Sequence, residues 1–342
     1  MSARFLSYEF RIPNHELWRI LQFLFGLVLV LCLTTACERT STQSATLLDS
    51  NCRPVQHVMG ESCIPLQPQR VVTLDGVSLE YALALGIQPV GSVLDQLDGH
   101  LIEQVKHQGN RIANIGTAGA PNLEKILQLK PDLILGLDFH QPIYSEVARI
   151  APVVLFEFQY SGQWKQIFKT FANSLGQGDV AQQVLDRYDQ RINQLKQTLA
   201  NPLPTVSVIR IDPASINVYF KDSFCGVILQ DAGLPRPPAQ NLSATEAQQT
   251  FNNPIQAAVN QERLDLVNGD VIFTWIGENT LEATQDAQAQ IDKLKTDPLW
   301  QKLPAVQQNR VYYVPSYWIG SGPISANLVV DDLFKYLIPD LP

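Results

Sequence analysis

The chain lays out one structural unit twice, and that repetition restricts its fold more than any other feature. Residues 123–136, LEKILQLKPDLILG, read as the end of a helix followed by a buried strand, and residues 262–273, ERLDLVNGDVIF, repeat the plan. Glu124 precedes Asp132 by eight residues, and Glu262 precedes Asp270 by eight. Each Glu is followed by a base (Lys125, Arg263) and an aliphatic (Ile126, Leu264), and each Asp opens an apolar strand. A second echo sits upstream. RVVTLDGVSLEYALALG (70–86) and VSVIRIDPASINVYFKDSFCGVILQDAG (206–233) each read as a strand ending in Asp and a helix ending at Gly. Asp75 lies 49 residues before Glu124 (124 minus 75), and Asp212 lies 50 before Glu262 (262 minus 212). Two echoes held at one spacing point to a duplicated architecture.

The rhythm continues after each Glu unit. Strand 132–137 leads to a helix near 141–150 and strand 153–157; strand 270–275 leads to a helix near 284–296 and strand 311–315. Strands alternating with helices predict parallel sheets covered on both faces. The expected fold is therefore α/β, with two Rossmann-like lobes of mainly parallel sheet. They occupy 52–176, which includes a leading hairpin, and 203–342. Between them, Val180, Val184, Leu185, Tyr188, Ile192, Leu195 and Leu199 fall on one helical stripe. Asp179 suits its first turn, and Pro202 and Pro204 stop it. A helix of about 21 residues spans roughly 30 Å. One long α-helix in 177–202 thus joins the lobes and allows only modest flexing of the cleft between them.

The first 51 residues read differently. Arg4, Arg11 and Arg19 precede an apolar run, Ile20 to Leu33, too short for a membrane span and suited to a signal-peptide core. The run ends LCLTTAC, which resembles the lipobox of bacterial lipoproteins, with Cys37 as the acylated residue and Thr34 where a branched aliphatic is usual. Residues 1–36 are thus expected to be a signal peptide and 37–51 a lipidated flexible tether. Ordinary signal cleavage with Cys37 unmodified is the alternative. Export places Cys52 and Cys63 in an oxidising compartment, where a disulfide across a hairpin turning at Met59-Gly60 is expected. A metal pair with His57 is the alternative, though no tetrahedral set is complete. Cys225 reads as a buried apolar residue.

Composition removes several function classes. Hydrophobic residues make up 45% of the 342 and charged residues 17%, which describes a globular chain. A net charge of −8 argues against a nucleic-acid partner. No G-x-S-x-G, H-E-x-x-H, P-loop or G-x-G-x-x-G is present. The five histidines all precede residue 141, so imidazoles from both lobes cannot close a site on a free metal ion.

In open α/β sheets, ligands bind outside the carboxyl ends of strands. That rule selects Asp75-Gly76, Ser92 to Asp95, Gly116 to Gly119 with Thr117, Asp138-Phe139-His140 and Gln159-Tyr160 in the first lobe. In the second it selects Arg210 to Asp212, Trp275-Ile276 and Ser316-Tyr317-Trp318. Tyr219 is a further candidate. Aromatics with one Arg at a strand end suit a bulky, partly apolar, anionic ligand. Each candidate has a structural alternative. Arg210 can pair with Asp212, Trp275 and Trp318 can belong to the core, and His140 can be a solvated loop residue.

From Cys52 to its end the chain resembles the substrate-binding proteins of ABC importers for ferric siderophores, within a class that also binds cobalamin and haem. The stretches that carry the resemblance are CRPVQHVMGESCIPLQPQRVV, IGTAGAPNLEKILQLKPDLILG, DAGLPRP, DPLWQKLPAVQQNRVYYVP, Trp318 followed by GSGP, and VVDDLFKYL. It implies the helical-backbone periplasmic binding protein fold and a monomeric, non-enzymatic receptor, periplasmic and anchored through Cys37, with no cofactor of its own. It implies that Glu124 and Glu262 dock into arginines of an inner-membrane ABC permease. The ligand it implies is a ferric chelate, and the residues selected above, Arg210, Trp275, Tyr317, Trp318, Tyr219, Phe139, His140 and Thr117, are compatible with one of citrate or hydroxamate type. The same fold binding cobalamin or haem, and an exported two-lobed enzyme, are the other readings.

Overall fold

The computed structural model describes residues 52–94, 112–213, 215–276 and 281–338, with the side chains of 261 and 281–287 excepted. The expected signal peptide, Cys37 and the expected tether all fall outside the described residues. Two five-stranded sheets form the framework. The first runs, edge to edge, Ala113–Asn114, Gly91–Ser92, Val71–Thr73, Leu133–Leu137 and Val153–Phe156, all parallel. The second runs Gln256–Val259, Ile216–Tyr219, Val206–Ile211, Val271–Ile276 and Val311–Tyr313. Numbered within each lobe, both sheets have the strand order 3-2-1-4-5, so the duplication inferred from spacing is present in the topology. In each, the order reverses between the first and fourth strands, which opens a crevice at their carboxyl ends.

The Asp132 and Asp270 echo has a physical cause. Asp132 accepts from the backbone N–H groups of Gln69 (2.7 Å) and Arg70 (2.9 Å), while its own N–H donates to the Arg70 carbonyl. Asp270 accepts from Thr205 N–H at 2.8 Å, and its N–H donates to the Thr205 carbonyl. Each Asp therefore holds the start of its lobe's central strand beside the fourth strand. The Asp75 and Asp212 echo does not survive. Asp75 caps the helix Gly76–Ala84 by accepting from Ser78 N–H. Asp212 instead begins a turn into an antiparallel strand, Ile216–Tyr219. The next helix, Phe224–Asp231, is capped by Ser223. A hairpin thus replaces the first crossover of the second lobe, and its second strand is reversed.

Two elements are shorter or tighter than the sequence reading expects. The helix near 141–150 is a 3-10 turn, Asp138–Ile143, followed by one α turn, Tyr144–Val147; Pro142 lacks the N–H a continuous helix needs. Glu262 lies on the 3-10 segment Gln261–Val267, broken at Arg263, whereas Glu124 lies on the α-helix Leu123–Gln128.

The helix Gly178–Thr198 buries Val184, Leu185, Tyr188, Ile192 and Leu195, while Val180 is exposed. It packs against helix Trp164–Ser174 of the first lobe and helix Pro323–Leu337 of the second. A single buried cluster runs from Val55 and Tyr81 through Trp164 and Tyr188 to Trp318 and Val330. Residues 52–342 are consequently one compact unit. Polar contacts reinforce the join: Asp231 accepts from Lys165 Nζ and Tyr188 Oη, each at 2.7 Å. At the start of the unit, Cys52–His57 pairs antiparallel with Gly60–Pro65. The hairpin turns at Val58-Met59, one residue earlier than the sequence reading places it, because Gly60 takes the left-handed conformation (φ 114°) and re-enters the strand. The Cys52–Cys63 disulfide closes it, with Cα atoms 5.5 Å apart.

Candidate functional site

A cleft of about 650 Å³ opens between the two sheets. The first lobe contributes Asp75, Gly76, Val77 and Glu80, then Leu137 and Phe139, then Phe158 to Ser161. The second contributes Arg210, Tyr219, Phe224, Asn253 to Gln256 and Ser316 to Ser321, together with Ser325. Asp75 to Val77 and Leu137 to Phe139 follow the first and fourth strands of their sheet, which is the position the crevice rule selects.

One wall is aromatic and fixed from behind. Tyr317 and Trp318 lie in the 3-10 turn Ser316–Ile319, and Asp332 on helix Pro323–Leu337 accepts from both, Tyr317 Oη at 2.7 Å and Trp318 Nε1 at 2.8 Å. Burial pushes the Asp332 carboxyl above its usual range, and these two donors oppose the shift. Trp318 also stacks on Phe273, ring centroids 4.5 Å apart. Tyr219 forms the adjoining wall. Its carbonyl accepts from the buried Arg236 at 2.6 Å, and burial pushes its phenol upward.

Charge in the cleft is arranged in pairs. Arg210 Nε lies 3.0 Å from Asp212 Oδ1, and Asn217 Nδ2 also donates to Asp212. Among the described residues Arg210 is the only base lining the cleft. Asp75 is buried, which raises its pKa; the Ser78 N–H, the nearby His140 (Nδ1 3.7 Å away), the Ser78 hydroxyl and the Leu137 N–H pull in the other direction. Glu80, 4% exposed, accepts from Ser325 N–H at 2.7 Å and Ser325 Oγ at 3.1 Å. That contact ties a first-lobe helix to the first turn of helix Pro323–Leu337.

The structure brings Arg210, Tyr219, Phe139 and Tyr317 to this cleft; Trp318 backs the same wall but has no exposed surface and is packed in the core on Phe273. Three other sequence candidates lie elsewhere. Trp275 shares a register row with Arg210 but is buried beneath Tyr219, ring centroids 5.0 Å apart. His140 turns inward to Asp75 while its neighbour Phe139 turns outward, 52% exposed. Thr117 is exposed on a small hairpin, Gly116–Thr117 with Ala120–Pro121, outside the lining. Arg236 is buried and holds the Tyr219 carbonyl and Gln240 instead of facing the cleft. Glu124 and Glu262 are both exposed and neither lines the cleft.

Sequence reasoning missed Glu80 and Asn253 to Gln256. Glu80 lies mid-helix, where no motif marks it. Asn253 to Gln256 precede a strand, a place the carboxyl-end rule does not inspect; reversal of Ile216–Tyr219 puts Gln256 opposite Tyr219. The free thiol among the described residues, Cys225, is buried and its pKa is raised by that burial, so it is no ready nucleophile. The arrangement suits holding a bulky molecule by stacking and hydrogen bonds.

The model for the family described as periplasmic binding protein matches residues 71–318. The chain is 31% identical over 328 residues to the "Probable siderophore-binding lipoprotein YfiY" of Bacillus subtilis, covering 93% of this chain and 98% of that one. It is 29% identical to the "Achromobactin-binding periplasmic protein" of Dickeya dadantii, covering 78% and 86%. The crystal structure of Staphylococcus aureus SirA complexed with staphyloferrin B aligns with a TM-score of 0.71 at 26% identity, covering 83% of this chain and 98% of SirA.

Proposed function

Because the chain belongs to the periplasmic binding protein family, we propose that it is the non-enzymatic receptor of an ABC importer, capturing a ferric siderophore in its cleft and delivering it to an inner-membrane permease. The observation that carries this reading is the cleft itself. It is about 650 Å³, walled by Tyr219, Tyr317, Phe139 and Phe158 and backed by Trp318, in a chain whose relatives are named for siderophore binding. That volume suits a compact chelate, and aromatic faces suit its apolar and conjugated parts. Continuity of the buried core across the long helix supports limited closure around a preformed site.

Docking rests on Glu124 and Glu262. Each follows an Asn by two residues (Asn122, Asn260), each is exposed, and both stand apart from the cleft. Charges at the rim of an interface set register and encounter rate. Acylation of Cys37 would keep the receptor at the membrane beside its permease. The test follows tryptophan fluorescence while ferric siderophores of hydroxamate, citrate and catecholate type are added, with cobalamin and haem as controls. Saturable one-to-one quenching by a ferric chelate is expected. Response to cobalamin or haem alone would refute the cargo assignment, and turnover without stoichiometric binding would refute the receptor role.

A further inference from the structure

Resting on that binding role, we infer that the cleft selects a ferric chelate carrying at most one net negative charge, of tris-hydroxamate or hydroxamate–hydroxycarboxylate type, over a tris-catecholate. The ground is that Arg210 and two of the helix N-termini at the cleft already hold a carboxylate from the protein. Arg210, the one lining base among the described residues, is paired with Asp212 at 3.0 Å. The N-terminus of helix Pro323–Leu337 points its Ser325 N–H at Glu80, 2.7 Å away. The N-terminus of helix Gly76–Ala84 is capped by Asp75, whose Oδ1 accepts from Ser78 N–H at 2.7 Å. A guanidinium and a helix N-terminus are the ordinary means of gripping an anion. Here they are occupied. The N-terminus of helix Phe224–Asp231 is closed by the neutral Ser223 hydroxyl.

The seat for Glu80 is built into the backbone. A Cβ on Gly322 would lie 2.6 Å from Glu80 Cδ, so the absence of a side chain there lets the carboxylate reach the helix end. With Asp75 and Glu80 against one restrained Arg210, the described lining carries no excess of positive charge, and a protonated Asp75 leaves that conclusion unchanged. Three hydroxamates cancel the charge of ferric iron, whereas three catecholates leave a trianion. A trianion would meet fixed carboxylates at close range in a partly desolvated cleft, where Coulomb repulsion is strong. The neutral complex needs only the stacking walls and the hydrogen-bonding groups of Ser316, Ser321, Asn253 and Gln256.

The experiment titrates the wild-type protein with ferric Desferal and with ferri-bacillibactin, a tris-catecholate complex, and reads dissociation constants from tryptophan quenching. Ferric Desferal is expected to bind at least tenfold tighter. The reverse order would overturn this inference and leave the receptor role standing. Failure of both, and of a ferric citrate–dihydroxamate, would overturn the receptor role and this inference together. Asp212→Asn, shown to be folded by its melting temperature, releases Arg210 and is expected to narrow the gap by at least threefold. An unchanged gap in that folded variant would overturn the charge argument.

Discussion

Asp332 holds two aromatic side chains of the cleft from behind, and its removal makes a quantitative test. The residue is 7% exposed and one of its oxygens, Oδ2, accepts from both Tyr317 Oη and Trp318 Nε1. In Asp332→Ala both groups lose that acceptor in a buried setting, and a small void opens. A hydrogen bond to a charged group contributes about 1.5–3 kcal/mol, and a buried donor left without its partner costs about 1–3 kcal/mol. Burial works against the Asp332 charge and raises its pKa, so relief of that penalty offsets part of the loss. The expected net destabilisation is about 2–4 kcal/mol, a fall in Tm of roughly 3–7 °C for a unit of this size. Asp332→Asn is the control. Its carbonyl oxygen can occupy the Oδ2 position and accept both bonds, so its loss should stay within about 1 kcal/mol. Urea unfolding gives the stabilities, and titration with a ferric hydroxamate gives the affinity. Asp332→Ala should bind at least fivefold more weakly, because Tyr317 and Trp318 lose their orientation. A wild-type Tm for Asp332→Ala, or equal losses for the Ala and Asn variants, would refute the shared-acceptor argument.

Two further outcomes test the framework. Asp132→Ala, which removes two backbone-donor bonds, should lower stability by about 2 kcal/mol, and Asp270→Ala, which removes one, by about half that, read from urea midpoints; a neutral variant at either site would break the claimed equivalence of the two strand latches. Replacing Cys52 and Cys63 together by Ser opens a loop with a sequence separation of 11 and should cost about 2–3 kcal/mol without changing cargo affinity; calorimetry and a binding titration check both halves of that statement.

Much of the architecture was legible before any coordinates, because it rests on local or short-range physics. The 3.6-residue stripe from Val184 to Leu195 needs only helical periodicity to be recognised. Asp132 and Asp270 announce themselves by equal spacing from Glu124 and Glu262, since the same strand-start problem is solved twice. The disulfide follows from two cysteines bracketing a turn in a chain that reads as exported. Even the displaced hairpin turn is off by one residue, set by the left-handed backbone of Gly60.

What faces the cleft was decided by tertiary structure. Arg210 and Trp275 are neighbours in register, yet Tyr219, brought over by a reversed strand, covers one and leaves the other at the cavity. Phe139 and His140 are adjacent in sequence with rings in contact (centroids 4.2 Å apart), yet one is half exposed and the other buried, a difference set by the elements packed around the 3-10 turn. Glu80 meets Ser325 across 245 residues of chain, and nothing in either segment signals the other. Sequence alone determined the long central helix, the strand–helix alternation and the paired Asp132 and Asp270 strand starts, since neighbours along the chain establish those, but not the reversed strand Ile216–Tyr219. Exposure, pairing and the charge balance of the cleft arise from contacts between distant segments. Arg210 is the local exception: Asp212, two residues along the same strand end, holds it, which is the pairing the sequence left open beside an anion contact.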